Sequence, residues 1–334
     1  MKEAFLYEKK DDFVECHLCS HRCRIKQGKR GICGVRENRD GILYSLVHNL
    51  ACSCNIDPIE KKPFFHFLPG SYSLSVATVG CNLACKFCQN WTISQAPKDE
   101  DGIFGEELPP SRIVKTAKVK GCKSISYTYT EPTIFFEYAF ETANIAKKEG
   151  LYNNFVTNGY MSPEALKMIA PYLDAANVDL KGDDNFYKTL CNARQEPVLS
   201  SIRLMKELGI WVEITTLLIP EKNTSSGILS DIAKFIKEVG EETPWHISRF
   251  HPNYKMLDIP PTPISFIERA REIGKNAGLR YVYSGNIPGD PGENTYCYQC
   301  KEPIINRIGF SVLSNSLKDG VCPNCKAKID GIFE

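Results

Sequence analysis

Three cysteines close to residue 85 have a spacing at which their thiolates can bind one soft metal centre. Cys81, Cys85 and Cys88 form the pattern CxxxCxxC, which suits a zinc ion or an iron–sulfur cluster. A structural tetrahedral site needs four protein ligands, whereas three ligands leave a coordination position open for a substrate or cofactor. The motif alone therefore leaves two interpretations: an open site for a cofactor, or a zinc site whose fourth ligand lies elsewhere in the chain.

Eight further cysteines form two groups with metal-ligand spacing. They are Cys16, Cys19, Cys23 and Cys33 near the N-terminus and Cys297, Cys300, Cys322 and Cys325 near the C-terminus. The two CxxC pairs of the C-terminal group predict a structural site for zinc or a single iron, in a zinc-ribbon or rubredoxin-like module. The N-terminal group suits a zinc ion and an iron–sulfur cluster equally well. Because each group supplies four ligands itself, neither is expected to complete the site of Cys81, Cys85 and Cys88.

The composition predicts a cytoplasmic metalloprotein without a disulfide framework. The fifteen cysteines are odd in number and occur mostly in tight local groups, which favours metal binding over disulfides. The formal net charge of +1 gives no indication of nucleic acid or an anionic membrane as the main partner. The basic residues around the N-terminal cysteines could balance a thiolate site, bind an anion or partner, or form an ordinary solvated surface. The first residues lack the apolar core of a signal peptide, and no apolar run approaches the length of a membrane span.

Residues 71–292 alternate candidate strands and helices and are predicted to form one α/β domain. Apolar or β-branched runs occur at residues 72–79, 124–129, 154–157, 176–180, 212–218, 246–250 and 280–283. Helical patterns occur at residues 132–148, 163–169, 202–208, 228–239 and 263–277. This alternation predicts a parallel sheet with right-handed crossovers, as a barrel or an open sheet. Residues 1–70 are expected to form a cysteine-rich segment with a connector, and residues 293–334 the small C-terminal module.

Polar and charged residues follow several of the predicted strands. In parallel α/β folds the functional groups lie at the carboxyl ends of the strands, and the cysteine loop of residues 81–88 also follows a strand. The residues at the other strand ends are Glu131, Thr157, Asn158, Asp179, Lys181 and His251. We therefore expect them on the same rim as the cysteine loop. His66, which lies between two phenylalanines, is expected to be a buried core histidine rather than a metal ligand.

The cysteine loop resembles the signature of radical S-adenosylmethionine enzymes. The similarity includes the aromatic Phe87 before the third cysteine and extends over about residues 71–289. Within this family the segment is most similar to the pyruvate formate-lyase activating enzyme group. The N-terminal cysteines, the run Asp-Pro-Ile-Glu-Lys-Lys-Pro at residues 57–63 and the C-terminal CxxC pairs make the whole chain similar to the radical enzyme of the AmmeMemoRadiSam system.

This resemblance implies a partial (β/α) barrel, a 4Fe–4S cluster and bound S-adenosylmethionine. Cys81, Cys85 and Cys88 would bind three irons of the cluster, and the amino and carboxylate groups of the cofactor would bind the fourth. An electron from the reduced cluster would cleave the cofactor to methionine and a 5′-deoxyadenosyl radical, which abstracts a hydrogen atom from the substrate. The resemblance also implies an electron donor such as flavodoxin or ferredoxin.

The resemblance further implies roles for the strand-end residues. Glu131 matches the glutamate of the family's Gly-Gly-Glu-Pro element and would accept a hydrogen bond from the cofactor's amino group, although both glycines are replaced here. The residues expected to approach the methionyl, ribose or adenosyl part of the cofactor are Thr157, Asn158, Asp179, Lys181 and His251. Val156 occupies the place of an aspartate that helps to bind a cation in activating enzymes, so a cation site there is expected to be absent or altered.

Two functional hypotheses follow from the sequence. The first is a radical oxidoreductase that abstracts hydrogen from a protein residue, as glycyl-radical activation requires, or from a small molecule. The second is a non-catalytic zinc- or iron-binding scaffold that recruits partners through its C-terminal module. Release of 5′-deoxyadenosine from S-adenosylmethionine distinguishes the two, because only the first hypothesis requires it.

Overall fold

Short antiparallel strands form the N-terminal part of the computed structural model, which describes residues 1–98 and 102–333. These strands are β1 (Lys2–Glu3), β2 (Tyr7–Lys9), β3 (Phe13–Cys16), β4 (Arg24–Lys26), β5 (Arg36–Arg39), β6 (Ile42–Ser45) and β7 (Leu50–Ala51). β2, β3 and β4 form one sheet, and β1, β6 and β5 form another. Alternate residues of β3 and β6 are buried, as expected for strands that cover a core with one face.

The main sheet has eight strands and begins within the segment that precedes residue 71. The strands of this region are β8 (Ser53–Pro58), β9 (Tyr72–Ala77), β10 (Glu106–Glu107), β11 (Ser124–Tyr127), β12 (Tyr152–Thr157), β13 (Ala175–Asp179), β14 (Trp211–Leu218), β15 (Trp245–Arg249) and β16 (Val282–Gly285). The sheet order is β16-β15-β14-β13-β12-β11-β9-β8, whereas β10 pairs with β7. All pairs from β9 to β16 are parallel, and β8 is antiparallel to β9. The predicted parallel α/β architecture is confirmed.

The helices connect consecutive parallel strands. They are α1 (Trp91–Ser94), α2 (Pro110–Val119), α3 (Phe136–Lys148), α4 (Pro163–Ile169), α5 (Asp184–Phe186), α6 (Glu196–Glu207), α7 (Ser226–Val239) and α8 (Ile264–Asn276). α4 has the predicted bounds, whereas α6 begins before the predicted residue 202 and α2 was not predicted. None of the helices in residues 1–98 and 102–333 has the length and apolar character that crossing a membrane requires.

The C-terminal part forms a small antiparallel sheet. Its strands are β17 (Thr295–Tyr296), β18 (Pro303–Ile308) and β19 (Ser311–Asn315). The buried cysteines Cys297 and Cys322 pack in one apolar cluster with Phe65 and Tyr283, so this sheet rests on the connector and on β16. The chain after the sheet returns to the connector, where the amide of Ile332 donates to the His66 carbonyl at 2.8 Å.

His66 is a buried core residue, as predicted. Its Nδ1 donates to the backbone carbonyl of Asp330 at 2.6 Å, and its Nε2 lies 2.6 Å from the hydroxyl of Tyr283. Burial lowers the pKa of His66 to about 4, so the ring is neutral at neutral pH. The histidine therefore joins the connector, β16 and the C-terminal end of the described chain without a buried charge.

A buried carboxylate joins the same connector to the amino ends of β14 and β15. Glu213 accepts hydrogen bonds from the backbone amides of Phe65 (3.0 Å) and His66 (2.9 Å) and from Trp211 Nε1 (3.1 Å), and it lies 2.7 Å from His246 Nε2. Burial raises the pKa of Glu213, but the hydrogen bond and the charge of His246 outweigh it and the net shift is downward. The carboxylate is thus stabilised in its charged form at the end of the sheet opposite the predicted rim.

Replacing Glu213 by glutamine should destabilise the fold. The two carboxylate oxygens accept hydrogen bonds from several groups, and the single carbonyl oxygen of glutamine cannot accept all of them. We expect Glu213→Gln to lower the free energy of unfolding by about 3 kcal/mol. Denaturant unfolding of anaerobically purified protein measures this loss. The matched control is Glu149→Gln, because Glu149 forms an exposed ion pair with Lys118, and such surface pairs contribute little to stability. Equal losses in the two variants would contradict this account.

Candidate active site

The cysteine loop begins directly after β9, at a glycine that the packing requires. Gly80 has a φ of +104°, and a Cβ atom at this position would lie 2.7 Å from Val35 Cγ1 and 3.1 Å from the carbonyl oxygen of Cys33. A side chain would therefore clash with the N-terminal segment as well as strain the backbone. The first turn of the loop is consequently held against the segment that carries the N-terminal cysteines.

The three cysteines of the loop are half-buried. Burial raises the pKa of Cys81 and of Cys88, and each is further raised by the charge of Cys85. The pKa of Cys85 is raised well above its usual value by a hydrogen bond with Cys191 and by burial. The three cysteines lie on one short loop, where a soft metal would bind them as thiolates.

Cys191 is the residue that sequence reasoning missed at this site. It ends a π-helical turn, Tyr187–Cys191, whose last carbonyls accept hydrogen bonds from the cysteine loop: Ala84 donates to Cys191 at 3.0 Å and Lys86 donates to Leu190 at 2.9 Å. π-Helical turns of this kind are frequent at functional sites. The sequence carries no local signal for this contact, because Cys191 is a single cysteine far along the chain from Cys85.

Glu131 lies at the carboxyl end of β11 and is almost completely buried. Its Oε1 accepts from the amide (3.1 Å) and hydroxyl (2.6 Å) of Thr133 and from the hydroxyl of Thr157 (2.7 Å), and its Oε2 accepts from the amide of Asn158 (2.8 Å). Burial raises the pKa of Glu131, while the hydrogen bonds from Thr133, Asn158 and Thr157 oppose that shift. Glu131 therefore fixes the turn that follows β12, and Oε2 keeps capacity for a further donor.

Asn158 connects this turn to the cysteine loop. Its Nδ2 donates to Asn82 Oδ1 at 2.8 Å and lies 3.8 Å from Cys81 Sγ, while its Oδ1 accepts from the amide of Tyr160 at 2.9 Å. Gly159 permits the turn with a φ of +69°, and a Cβ there would approach Val178 Cγ1 to 2.8 Å. The structure thus brings the predicted residues Glu131, Thr157 and Asn158 together beside Cys81.

Asp179 and Lys181 form the second polar group on this rim. Lys181 Nζ lies 2.6 Å from Asp179 Oδ2, and the lysine side chain is largely buried. Burial lowers the pKa of Lys181, but the charges of Asp179 and Cys85 outweigh it and raise the pKa well above the ordinary value. Lys181 also acts electrostatically on Cys88. A cation beside the thiols offsets the negative charge that several thiolates accumulate.

His251 follows β15 but is exposed, unlike the other strand-end residues. The loop that contains it contacts the cysteine loop through the backbone, where the amide of Lys255 donates to Lys86 at 2.9 Å. In the same loop Tyr254 stacks on Trp91, with ring centroids 5.1 Å apart and an interplanar angle of 14°. The structure therefore places His251 on a loop next to the site, without a place in the buried network of Glu131 and Asn158.

The C-terminal cysteines form a closed four-thiol site. The sulfurs of Cys297, Cys300, Cys322 and Cys325 all lie within 4.8 Å of one another. The pairs Cys297–Cys325 and Cys300–Cys322 are 3.6 and 3.7 Å apart, as expected for tetrahedral ligands of one ion. The backbone amide of Glu302 lowers the pKa of Cys300 to about 6, which favours the metal-binding thiolate.

The N-terminal cysteines are also brought together, around a small cavity. Cys16, Cys19, Cys23 and Cys33 all line this cavity, together with Arg36 and Asn82. Burial raises the pKa of Cys19 and Cys23 and raises that of Cys33 to about 11. The predicted N-terminal group is therefore a cluster in space as well as in sequence.

Comparison with known proteins agrees with this geometry. Residues 75–226 match the family model described as Radical SAM superfamily. The chain is 48% identical over 334 residues to Uncharacterized protein MJ0808 of Methanocaldococcus jannaschii, covering 99% of each chain. It is 28% identical to Putative glycyl-radical enzyme activating enzyme MJ1632 of the same organism, over 64% of this chain and 79% of the relative. A radical SAM methyltransferase from Sphaerobacter thermophilus has a similar fold, with a TM-score of 0.51 and 18% identity over 68% of this chain and 71% of that one.

The parallel sheet with a three-cysteine loop after its first parallel strand defines a radical SAM α/β fold. The chain belongs to the radical SAM superfamily, whose members bind an iron–sulfur centre and S-adenosylmethionine. The residues present fit such a centre, because three half-buried thiols and the largely buried cation of Lys181 share one rim.

The network around Glu131 yields a stability prediction that is independent of any cofactor. Glu131→Gln leaves one oxygen to accept from the donors of Thr133, Thr157 and Asn158, and we expect a loss of about 2 kcal/mol in the free energy of unfolding. Denaturant unfolding of the metal-free protein measures it. Glu164→Gln is the control, because Glu164 forms an exposed ion pair with Arg22 that should contribute at most about 1 kcal/mol. A Glu131→Gln variant as stable as the control would contradict the assigned network.

Proposed function

We propose that this protein is a radical SAM oxidoreductase that uses a 4Fe–4S cluster on Cys81, Cys85 and Cys88. The observation that carries the proposal is the hydrogen-bonded chain from Glu131 through Asn158 to Asn82 and Cys81. It joins the strand ends to a loop that supplies three ligands. Three thiolates leave one iron of a cubic cluster without a protein ligand, and this open position suits chelation by the amino and carboxylate groups of S-adenosylmethionine.

With both groups bound, the reduced cluster would supply the electron that cleaves a C–S bond of the sulfonium, and S-adenosylmethionine would supply methionine and the 5′-deoxyadenosyl group that takes a hydrogen atom from the substrate. The protein's own contribution is placement and exclusion of water. Glu131 Oε2 accepts a single hydrogen bond now, so it can accept another from an amino group. The carboxylate oxygens of Asp179 can accept hydrogen bonds from hydroxyl groups of the cofactor, and the hydrogen bond from Lys181 fixes the position of this carboxylate.

The remaining predicted contacts keep their assignment within this proposal. Thr157 and Asn158 lie where the methionyl part of the cofactor would reach the loop, since Asn158 already contacts Cys81 Sγ at 3.8 Å. His251 is exposed at the end of β15, so it would reach an adenosyl group only from the outer edge of the site. The matched relative MJ1632 carries the name of a glycyl-radical enzyme activating enzyme. This name supports a substrate that is a protein residue, with a small molecule as the other substrate class and flavodoxin or ferredoxin as the electron donor.

For the C-terminal module we propose a zinc-ribbon site with a structural role. Closed sites of four cysteine thiolates are usually structural, because they leave no coordination position for a substrate. The compact spacing of the four sulfurs supports a single ion, and the apolar cluster around Cys297 and Cys322 supports a role in packing the module against β16. Residues 293–334 would then form a module of their own on the radical SAM domain of residues 71–292.

The catalytic proposal predicts release of 5′-deoxyadenosine. Anaerobically reconstituted protein with dithionite and S-adenosylmethionine should form 5′-deoxyadenosine and methionine in equal amounts, measured by liquid chromatography and mass spectrometry. Cys85→Ala should abolish the product, because the cluster loses one of its three ligands. Cys122→Ala is the matched control: Cys122 is also buried, but it precedes β11 at the far end from the rim, and product release should be retained. A fully loaded and reduced wild-type protein that releases no 5′-deoxyadenosine would contradict the proposal and leave the scaffold hypothesis.

The structural proposal predicts one zinc per chain at the C-terminal module. Metal analysis of the full chain should find this zinc, and Cys322→Ala should lose it and unfold at a lower temperature. The iron bound at the cysteine loop should be unchanged, because the two sites share no ligand. A single iron in place of zinc would contradict the zinc assignment, and an unchanged melting temperature after loss of the metal would contradict the structural role.

A further inference from the structure

We propose that Cys16, Cys19, Cys23 and Cys33 hold an iron–sulfur cluster of their own, separate from the catalytic one. The radical SAM activity described above does not require this second cluster, and neither the family match nor the named relatives assign a ligand to these residues. The inference rests on how the cysteines are enclosed, on the separation of their sulfurs, and on two unpaired buried donors that belong to residues lining the same cavity.

The four cysteines lie at the end of β3 and in the connections that follow it, and the fold brings them to one cavity. Cys16 ends β3 and Cys23 precedes β4, and the amide of Cys16 donates to the carbonyl of Cys23 at 2.9 Å. Cys19 lies in the turn between them, where it forms a β-bridge to Met161 of the main domain. Cys33 precedes β5 and is buried. The four thiols therefore converge on a cavity that both parts of the protein enclose.

The separation of the sulfurs favours a cluster over a single ion. Cys297, Cys300, Cys322 and Cys325 form the C-terminal quartet, and their sulfurs all lie within 4.8 Å of one another. Within residues 1–98 and 102–333, no other group of three or more candidate ligands is this compact. No three of the N-terminal sulfurs meet this limit in the described chain, and neither do those of Cys81, Cys85 and Cys88. Thiolates that bind one zinc ion must approach to this range, whereas a cluster of several irons and sulfides fills the centre and keeps its ligands further apart.

Two buried hydrogen-bond donors point to a sulfur-rich anion in the cavity. Arg36 is 2% exposed, and its terminal nitrogens are held by both oxygens of Glu137 at 3.0 Å and by the Phe5 carbonyl at 2.9 Å. Its Nε has no hydrogen-bond partner in the described residues, and the same is true of Nδ2 of Asn82, which is 1% exposed. Both residues line the cavity. Leaving such donors unpaired is costly, and cluster sulfides and thiolates would accept from them.

The second cluster would lie beside the cysteine loop of residues 81–88. The carbonyl of Cys33 packs against Gly80, next to Cys81, and His21 Nε2 lies 2.8 Å from the carbonyl of Asn82. Asn82 therefore contacts both regions: it lines the N-terminal cavity, and its Oδ1 accepts a hydrogen bond from Asn158 of the candidate active site. The N-terminal segment and the loop after β9 would thus form one continuous iron–sulfur region.

The test uses the full-length triple variant Cys81→Ala, Cys85→Ala and Cys88→Ala, which cannot bind the catalytic cluster. After anaerobic reconstitution with iron and sulfide, we expect at least two acid-labile sulfides per chain. Dithionite should produce an electron paramagnetic resonance signal that S-adenosylmethionine does not change. Adding Cys19→Ser should remove the sulfide and the signal, whereas adding Cys54→Ser should leave both, because Cys54 is exposed and outside the cavity. Labile sulfide is decisive because a rubredoxin-like iron at the C-terminal quartet contains none.

Zinc without sulfide at the N-terminal cysteines, or no metal there, would overturn the inference. Because the triple variant lacks the catalytic ligands, either outcome is independent of whether the protein cleaves S-adenosylmethionine. If the triple variant does not fold, Cys19→Ser alone provides the measurement. It should lower the sulfide content of the otherwise unchanged protein by the amount of one cluster, and an unchanged sulfide content would overturn the inference.

Discussion

The hydrogen bonds that Glu131 accepts inside the protein set the geometry on which the candidate active site depends. A buried carboxylate is stable only where donors surround it, and here the donors come from two different strand ends. The turn of Thr157 and Asn158 is fixed by them and in turn holds Asn82 of the cysteine loop. These hydrogen bonds bring the end of β11, the turn after β12 and the cysteine loop together at one rim, although the three are distant in sequence.

Buried polar groups also determine how the N-terminal and C-terminal segments contact the main sheet. At the amino ends of the strands, Glu213 and His66 tie the connector to β14, β16 and the C-terminal end of the described chain. At the opposite end, the N-terminal segment contacts the cysteine loop at Gly80, which packs against Val35 and Cys33, and at Asn82, whose carbonyl lies next to His21. The sheet is therefore flanked by a compact C-terminal four-thiol site on one side and a wider N-terminal one at the rim. This difference in spacing is the reason we infer a single ion at the C-terminal cysteines and a cluster at the N-terminal ones.

The sequence predicts the parallel sheet and the helices with strong periodicity, because parallel strands of an α/β protein are buried apolar runs. α4 has the predicted bounds. α2 was not predicted, because its buried apolar residues, among them Ile113, Val114 and Ala117, are few and lie among polar ones. β16 lies two residues later than predicted, since Arg280 and Tyr281 make contacts with Asp330 instead of continuing the strand. The rim residues could be predicted from their strand ends, but the contact of Cys191 with Cys85 could not, since it depends on tertiary packing alone.

The central claim is that the iron without a cysteine ligand binds S-adenosylmethionine. Electron–nuclear double resonance of the reduced protein tests it most directly, with the cofactor isotopically labelled at its amino nitrogen and carboxylate oxygens. We expect hyperfine coupling of both labels to the cluster of Cys81, Cys85 and Cys88, and its loss in Cys85→Ala. A reduced cluster with full iron content that shows no coupling to either label would contradict the account.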